Sequence, residues 1–287
     1  METGSDLASV LSFRKVLHLL PDRIEELNSP DLFNFLEIGR SHVCILAIDS
    51  KQRKALSFSK YEFPCSLQDA RWAEFVSQVL TEVGIQKFCV AVVDDLPCTI
   101  IPSDLFPSDK KDLEALLTLE NGLIPDSTLI ETNLDSLDAN CVFALPNVLK
   151  KVIHCEKIIP AFAAWMPSLI RNPTSTHIHV HVSNQSFRLA LLQGKGLLLH
   201  NTFNFSAHED VLYFTLAALE QLSILHSETT LTLYGNVAKG DHLHSLFTKY
   251  ISHVDFAEKP IEFSYSYSFK DLPNHMSPFL LNAPKCA

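Results

Sequence analysis

The sequence contains the same run of predicted elements twice. Three strand-like segments, a capped helix and one wholly apolar strand lie within residues 33–93, and the same order returns within residues 177–234. The two copies align with a single slip of two residues, in the second hairpin. Aligned apolar positions are Ile38 with Val182, Phe63 with Phe205, and Phe88 with Leu231. Chance similarity rarely preserves order, spacing and caps together, so we interpret the chain as an internal duplication.

Each copy predicts one mixed sheet covered by helices. An antiparallel meander of three strands leads through a helix to a buried strand, and buried apolar strands of this kind are usually parallel. The first helix is predicted to begin at a capping pair, Ser66 with Asp69, and the second at Ser206 with Glu209. Two such units in 287 residues predict an α/β protein of two lobes with a cleft between them.

The stretches outside the two copies set the predicted lobe boundaries. Lobe one is residues 1–175, with an N-terminal segment and an inserted α/β subdomain, and lobe two is residues 176–287, with a C-terminal tail. In the tail, aromatic and polar residues alternate over residues 263–269, which predicts a strand with one aromatic face. The insert is predicted to hold a helix, two strands and two further helices, at residues 108–120, near Leu129 and Val142, and at 146–154 and 162–171.

Composition narrows the classes of partner. The formal net charge is -10 and no basic stripe opposes it, which disfavours nucleic acid and anionic membrane surfaces. The longest apolar run, residues 158–170, is shorter than the ~20 residues that a membrane-spanning helix needs. Seven cysteines without any C-x-x-C spacing indicate reduced thiols in a reducing compartment. We therefore expect a cytoplasmic protein, not inserted in a membrane, whose partner is another protein; the composition predicts no particular oligomeric state.

Four segments carry a resemblance to known proteins, at residues 98–106, 137–146, 186–190 and 219–222. Together they are similar to an uncharacterised bacterial domain-of-unknown-function family that is grouped with actin-like ATPases, and the similarity covers nearly the whole chain. The duplicated unit also resembles the actin-like ATPase (ribonuclease H-like) fold of heat-shock chaperones and sugar kinases. A remoter resemblance, in architecture alone, is to the actin-like protein of type IV pilus assembly. These resemblances imply a duplicated, degenerate actin-like fold.

The resemblance implies three places around the cleft that would contact a nucleotide. The first is an Asp-x-Gly turn that holds a magnesium-bound water and cradles phosphate; this chain has Glu37-Ile38-Gly39 there. The second copy presents His181-Val182-Ser183, with neither acid nor glycine, and the adenosine-side Gly-Gly pair is replaced by Gly235-Asn236. The candidate nucleotide-binding residues are Glu37, Gly39, Ser183, Gly235 and Asn236.

These departures favour a protein without catalysis. Removing one group that stabilises a transferring phosphoryl group costs about 10² to 10³ in rate, and two of the three places are altered here. We expect no catalytic residue, no metal ligand and no cofactor, in a binding or scaffolding protein that engages another protein through a lobe surface, the cleft or the Pro-rich tail, residues 273–287. The alternative is an ATP-binding protein or weak ATPase that uses magnesium, Glu37, Gly39 and Gly235. For Glu37 alone, an acid that caps a turn is a further interpretation.

Two other groups of residues leave alternatives open. His177, His179 and His181 share one face of a predicted strand, which is a spacing for metal ligands but is more typical of packed neutral histidines. Asp94 and Asp95 directly follow a buried strand, where α/β sheets often place ligand-binding groups and where turn-forming acids are also common.

Overall fold

The first sheet is built around the first copy of the duplicated unit. The structure is a computed structural model and describes residues 13–63, 68–96, 98–122, 126–170 and 176–287. Its first elements are β1 (Arg14–Leu19), β2 (Leu32–Ile38), β3 (His42–Asp49), β4 (Lys54–Glu62), α1 (Asp69–Val83) and β5 (Phe88–Val93). Strands β2, β3 and β4 form the predicted antiparallel meander, and β5 lies parallel to β2. Strand β1, which the sequence did not predict, adds an antiparallel edge beside β4.

Helix α1 covers one face of this sheet because its apolar residues recur at helical spacing. The helix begins at Asp69 and ends at Val83, and the residue that follows, Gly84, has a φ of 72°. Such a left-handed residue is a common helix stop, since glycine adopts it without a steric penalty. Ser66, the other half of the predicted cap, lies outside the described residues. The buried residues of the helix are Trp72, Ala73, Phe75, Val76 and Val79.

The inserted subdomain is a separate three-stranded sheet with one helix. The elements that follow β5 are β6 (Cys98–Pro102), α2 (Lys110–Asn121), β7 (Ser127–Leu134), β8 (Ala139–Pro146), α3 (Asn147–Lys150), β9 (Cys155–Pro160) and α4 (Ala161–Leu169). The sheet order is β6-β8-β7, and Leu113 and Leu117 of α2 pack onto it. The predicted helix and both predicted strands are confirmed.

The sequence prediction was wrong about the end of this stretch. The predicted helix over residues 146–154 is a single turn, α3, and β9 was not predicted at all. Strand β9 pairs with β5 in parallel and completes the first sheet, in the order β1-β4-β3-β2-β5-β9. A short apolar run followed directly by an apolar helix has no periodicity that separates the two elements.

The second sheet repeats the topology of the first. Its elements are β10 (Thr176–Val182), β11 (Ser186–Gln193), β12 (Gly196–Asn204), α5 (His208–Gln221), β13 (Thr230–Gly235), α6 (His242–Tyr250) and β14 (His253–Phe256), in the order β12-β11-β10-β13-β14. Here too a meander is followed by a strand, β13, parallel to the first strand of the unit. Helix α5 is capped by Asp210, whose carboxylate accepts the backbone N–H groups of Ser206 and Ala207, rather than by Glu209.

Repeated backbone hydrogen bonds confirm the duplication residue by residue. The N–H of Phe63 donates to the carbonyl of Ser41 at 2.8 Å, and the N–H of Phe205 donates to the carbonyl of Gln185 at 3.1 Å. Past the parallel strands, Asp94 donates to Ile38 in the first copy, and Asn236 donates to Val182 in the second. The alignments of Ile38 with Val182 and of Phe63 with Phe205 are therefore confirmed.

The third predicted alignment is wrong by one residue. The register of β2 with β5 pairs Phe35 with Val90, and the register of β10 with β13 pairs His179 with Thr232. Because Phe35 and His179 are equivalent, Phe88 corresponds to Thr230 rather than to Leu231. Strand β5 is apolar throughout, so it has no alternation of apolar and polar residues that would fix its alignment with β13 from sequence.

The C-terminal tail returns to the first sheet. Its elements are β15 (Ser264–Tyr265) and α7 (Pro278–Asn282). The predicted seven-residue aromatic strand is wrong, because two residues pair with β4 and a 3-10 helix, Tyr267–Asp271, follows. Helix α7 is wholly buried and packs against α4, β2 and β3, and its Phe279 also contacts His181 of the second sheet. In the described part of the chain, no helix has the length and apolar content needed to cross a membrane.

Candidate binding cleft between the two sheets

A cavity of about 590 Å³ opens between the two copies, where equivalent ends of the two sheets face each other. One row of side chains runs across each sheet, because residues that are directly opposite on paired strands point to the same face. The same three positions of each copy therefore line the two walls. They are Glu37, Cys44 and Lys60 on the first sheet, and His181, Arg188 and Thr202 on the second.

Four of the five predicted nucleotide-binding residues line this cavity: Glu37, Ser183, Gly235 and Asn236. The fifth, Gly39, lies in the turn behind the wall. Its N–H donates to the carbonyl of His42 at 2.9 Å, and its carbonyl accepts the indole N–H of Trp72 at 2.7 Å. The duplication therefore brings four of the predicted residues to one cavity, and nucleotide binding by them stays a prediction.

Glu37 is bound on both carboxylate oxygens. Its Oε1 lies 3.1 Å from Nε2 of His42, and its Oε2 accepts the backbone N–H of Leu280 at 3.0 Å. The side chain is 5% exposed, although it lies at the cavity wall. The carboxylate therefore anchors the first turn of α7, a contact across 243 residues that no local pattern predicts.

The turn after β10 has no carboxylate to match Glu37. His181 stands at the equivalent position, is buried, and packs against the ring of Phe279 with centroids 4.4 Å apart. Burial holds the pKa of His181 well below its ordinary value, and the nearby Arg188 charge acts in the same direction. A neutral imidazole therefore lies where an acid would face magnesium. Ser183 closes the turn, and its N–H donates to the carbonyl of Ser186 at 2.8 Å.

A buried ion pair joins the two walls of the cleft. Nη2 of Arg188 binds Oδ1 of Asp94, and the side chains are 8% and 3% exposed. Asp95 lies 3.8 Å from the same guanidinium nitrogen and accepts the backbone N–H of Arg40 at 2.8 Å. Burial raises the pKa of Asp94 to about 6, against the opposing effect of Arg188. The predicted acids after β5 thus lie in the cleft, where they bind the other half of the molecule.

Arg188 is a functional candidate that the sequence prediction missed. The one available signal was its position, as the single charged residue of the otherwise apolar strand β11. Such a residue is almost never fully buried without a partner. Its partner, however, could not be identified from sequence spacing, because Asp94 belongs to the other copy.

The loop after β13 is closed tightly against β10. Gly235 has a φ of 79°, and a Cβ atom there would lie 2.2 Å from the carbonyl oxygen of Val182, so only glycine fits. The N–H of Gly235 donates to the carbonyl of His275 in the tail at 2.9 Å. The side chain of Asn236 donates to Oδ1 of Asn184 at 2.7 Å, which ties the two cleft loops of the second sheet together.

The histidines of β10 are mostly packed. His179 is fully buried, with Nδ1 3.1 Å from the hydroxyl of Tyr234. Trp165 of α4 lies edge-on to the rings of His179 and His181. Both residues are therefore packed, as that interpretation expects, and burial keeps the pKa of His181 well below its ordinary value.

Comparisons with known proteins agree with this geometry. A solved protein of Bacteroides thetaiotaomicron, with an actin-like ATPase fold and unknown function, is similar with a TM-score of 0.69 and 16% identity, over 82% of this chain and 93% of that one. A structure of the PilM-PilN type IV pilus biogenesis complex is similar with a TM-score of 0.57 and 15% identity, over 88% of this chain and 96% of that one. No curated protein matches the chain.

These two structures confirm the predicted actin-like ATPase fold and the remoter resemblance to the actin-like protein of type IV pilus assembly. The family model of proteins of unknown function, DUF3822, matches residues 35–254, which include both copies of the duplicated unit. The chain belongs to the DUF3822 family.

Proposed function

We propose that this chain is a non-catalytic binding or scaffolding protein of the cytoplasm, on an actin-like fold that has lost the ATPase chemistry. The observation that carries the proposal is the Arg188–Asp94 ion pair across the cleft. Phosphoryl transfer needs a metal ion and charged groups that face the transferring phosphate. Here the acids nearest the centre of the cleft are bound to an arginine of the opposite wall.

The other residues of the cleft are a poor match for magnesium-ATP. A magnesium-bound water at Glu37 would have to share a carboxylate that already accepts the N–H of Leu280 and lies 3.1 Å from Nε2 of His42. Magnesium requires oxygen ligands in near-octahedral geometry, and the second turn offers a buried neutral imidazole at His181 instead. We therefore assign the cleft a binding role without turnover.

The remaining surface of the cleft suits a polar segment of another protein. Its volume of about 590 Å³ lies within the range of about 300–1,000 Å³ that is usual for binding sites. A protein partner also agrees with the PilM structure, which is that of a complex with PilN. Helix α7 is buried, so the proposal rests on the cleft and the lobe surfaces and no longer on the Pro-rich tail. Hydrogen-bonding side chains of the second wall are Ser183, Asn184, Gln185, Ser186 and Asn204.

Two tryptophan variants on neighbouring residues of β12 test the binding role. Thr202 is exposed and lines the cavity, whereas Asn201 is exposed on the opposite face of the same strand. Thr202→Trp should fill the cleft and abolish capture of the native partner by the tagged full chain, while Asn201→Trp should leave capture intact. Equal capture by both variants would contradict binding in the cleft.

The alternative function is nucleotide binding or weak ATPase activity. The observation that favours it is the open cavity with Glu37 and Gly235 at its edges. Release of phosphate from magnesium-ATP separates the two proposals: the binding role predicts no release above a buffer control. Release by the parent chain that Glu37→Gln abolishes would establish the alternative.

A further inference from the structure

Three metal-ligating side chains converge on the first wall of the cleft. One ligand atom from each of Glu37, His42 and Cys44 lies within 4.8 Å of the other two. Glu37 and Cys44 are directly opposite each other on β2 and β3, and His42 lies two residues before Cys44 on the same face of β3. The hairpin geometry itself therefore positions all three, and all three line the cavity.

The chemistry of this donor set favours a zinc-class ion over magnesium. A carboxylate, an imidazole and a thiolate are the three side-chain ligands of zinc, while magnesium takes oxygen ligands alone. Bonds of about 2.0–2.3 Å to a tetrahedral ion separate the ligand atoms by about 3.5 Å. The longest separation allowed by the present geometry is 4.8 Å, so the ligand atoms need to approach each other by at most about 1.3 Å. His42 is only partly buried, which leaves its ring room to turn.

Neighbouring groups orient the three ligands and set the charge around them. The N–H of Leu280 binds Oε2 of Glu37 and leaves Oε1 directed at His42, which is the orientation that a shared ion requires. Glu37 is 5% exposed and Cys44 is 1% exposed, so a dication would balance a carboxylate and a thiolate in a poorly solvated place. The neighbouring ammonium of Lys60 is itself bound to Glu62 at 2.7 Å.

We propose that Glu37, His42 and Cys44 form a three-ligand site for a zinc-class transition-metal ion. The fourth coordination position of the ion faces the cavity and binds a water molecule or a donor atom of a partner. The site differs from an actin-like magnesium site because protein atoms bind the ion directly, and it leaves the Arg188–Asp94 pair intact. It also does not depend on whether the cleft binds a protein.

Cobalt(II) titration of the metal-stripped full chain tests this site. Tetrahedral coordination with one thiolate predicts one equivalent of cobalt, strong visible absorption and a sulfur-to-metal charge-transfer band in the near ultraviolet. Zinc should displace the cobalt and remove both features. Absence of stoichiometric binding at micromolar metal would overturn the proposal.

Matched variants locate the ligands. Cys44→Ser should remove the charge-transfer band and weaken zinc binding by more than the about 10- to 100-fold expected from losing an outer-shell contact. Cys89→Ser, in β5 of the same sheet, should leave the band and the affinity unchanged. His42→Asn is the second ligand variant if Cys44→Ser does not fold, as judged by circular dichroism, and it should lower the affinity similarly. A band that survives Cys44→Ser, or affinity that His42→Asn does not change, would refute the assignment.

Discussion

Equivalent residues of the two copies have diverged in charge at the positions that face the cleft. Cys44 of the first copy corresponds to Arg188 of the second, and Glu37 corresponds to His181. Asp94 of the first copy corresponds to Asn236 of the second, so the acid is present in one copy and the arginine in the other, and Asp94 and Arg188 bind each other. At the scale of single residues, this divergence converts two similar walls into one interface.

Arg188→Leu should be strongly destabilising because it leaves the carboxylate of Asp94 buried without its partner. Breaking such a pair costs about 3–5 kcal/mol, which chemical denaturation would show as a loss in the free energy of unfolding. The control is Lys87→Met, which removes the exposed pair between Lys87 and Glu156; an exposed pair is worth less than about 1 kcal/mol. Similar losses in the two variants would show that the Arg188 pair does not join the walls.

The stability of the fold should fall in acid because of a partly buried histidine, His200. His200 packs against Phe162, with ring centroids 4.0 Å apart, and burial lowers its pKa to about 3. In the unfolded chain His200 becomes protonated below about pH 6.5, whereas in the folded chain it stays neutral down to about pH 3. The free energy of unfolding therefore decreases as pH falls through this window, by up to about 1.4 kcal/mol per pH unit.

Denaturation curves between pH 7 and pH 4 measure this slope. His200→Phe removes the titrating group and should reduce the slope of unfolding free energy against pH by the contribution of one proton, up to about 1.4 kcal/mol per pH unit. A slope that is the same in the parent chain and in the variant would show that His200 takes up its proton equally in both states.

At the scale of elements, the close approach of the β13 loop to β10 depends on one glycine. Gly235→Ala combines a left-handed φ with a Cβ atom that would lie only 2.2 Å from the carbonyl oxygen of Val182. Gly84 has a similar φ of 72° but open space around it, so Gly84→Ala carries the backbone penalty alone, about 1–2 kcal/mol. Overlap in a packed site adds about 1–3 kcal/mol. The free energy of unfolding should therefore fall further in Gly235→Ala, and equal losses would contradict the close approach.

The duplicated elements were predictable because their signals are local. Alternating apolar residues, helix periodicity and turn residues placed β2, β3, β4 and the equivalent strands of the second copy. Strand β9 and the tail were not predictable in the same way. The second half of β9 belongs to an apolar run that continues into α4. The tail acquires its conformation from contacts with β4 and α4.

The candidate site was predictable only in outline. Because the copies match, Glu37, Ser183, Gly235 and Asn236 could be placed around one cleft from sequence. Their partners could not, since the bonds of Glu37 to Leu280 and of Asp94 to Arg188 join distant parts of the chain. Those long-range bonds, rather than the residue types, determine what the cleft can do.

At the scale of the whole molecule, helix α7 and the ion pair close the bottom of a cleft that an actin-like ATPase would use for its nucleotide. Glu37 anchors the helix, Phe279 packs between His181 and Trp165, and Arg188 binds the acids of the opposite wall. The two halves are therefore held together by buried contacts across the cleft. This arrangement favours a fixed binding surface over a cycle of opening and closing.

Calorimetric titration of magnesium-ATP into the full chain tests this account most directly. The account predicts no saturable heat and no rise in melting temperature at millimolar nucleotide, because neither phosphate turn has a free acid and the central acids are paired with Arg188. Saturable binding that raises the melting temperature, and that Glu37→Gln or Gly235→Ala weakens, would contradict it.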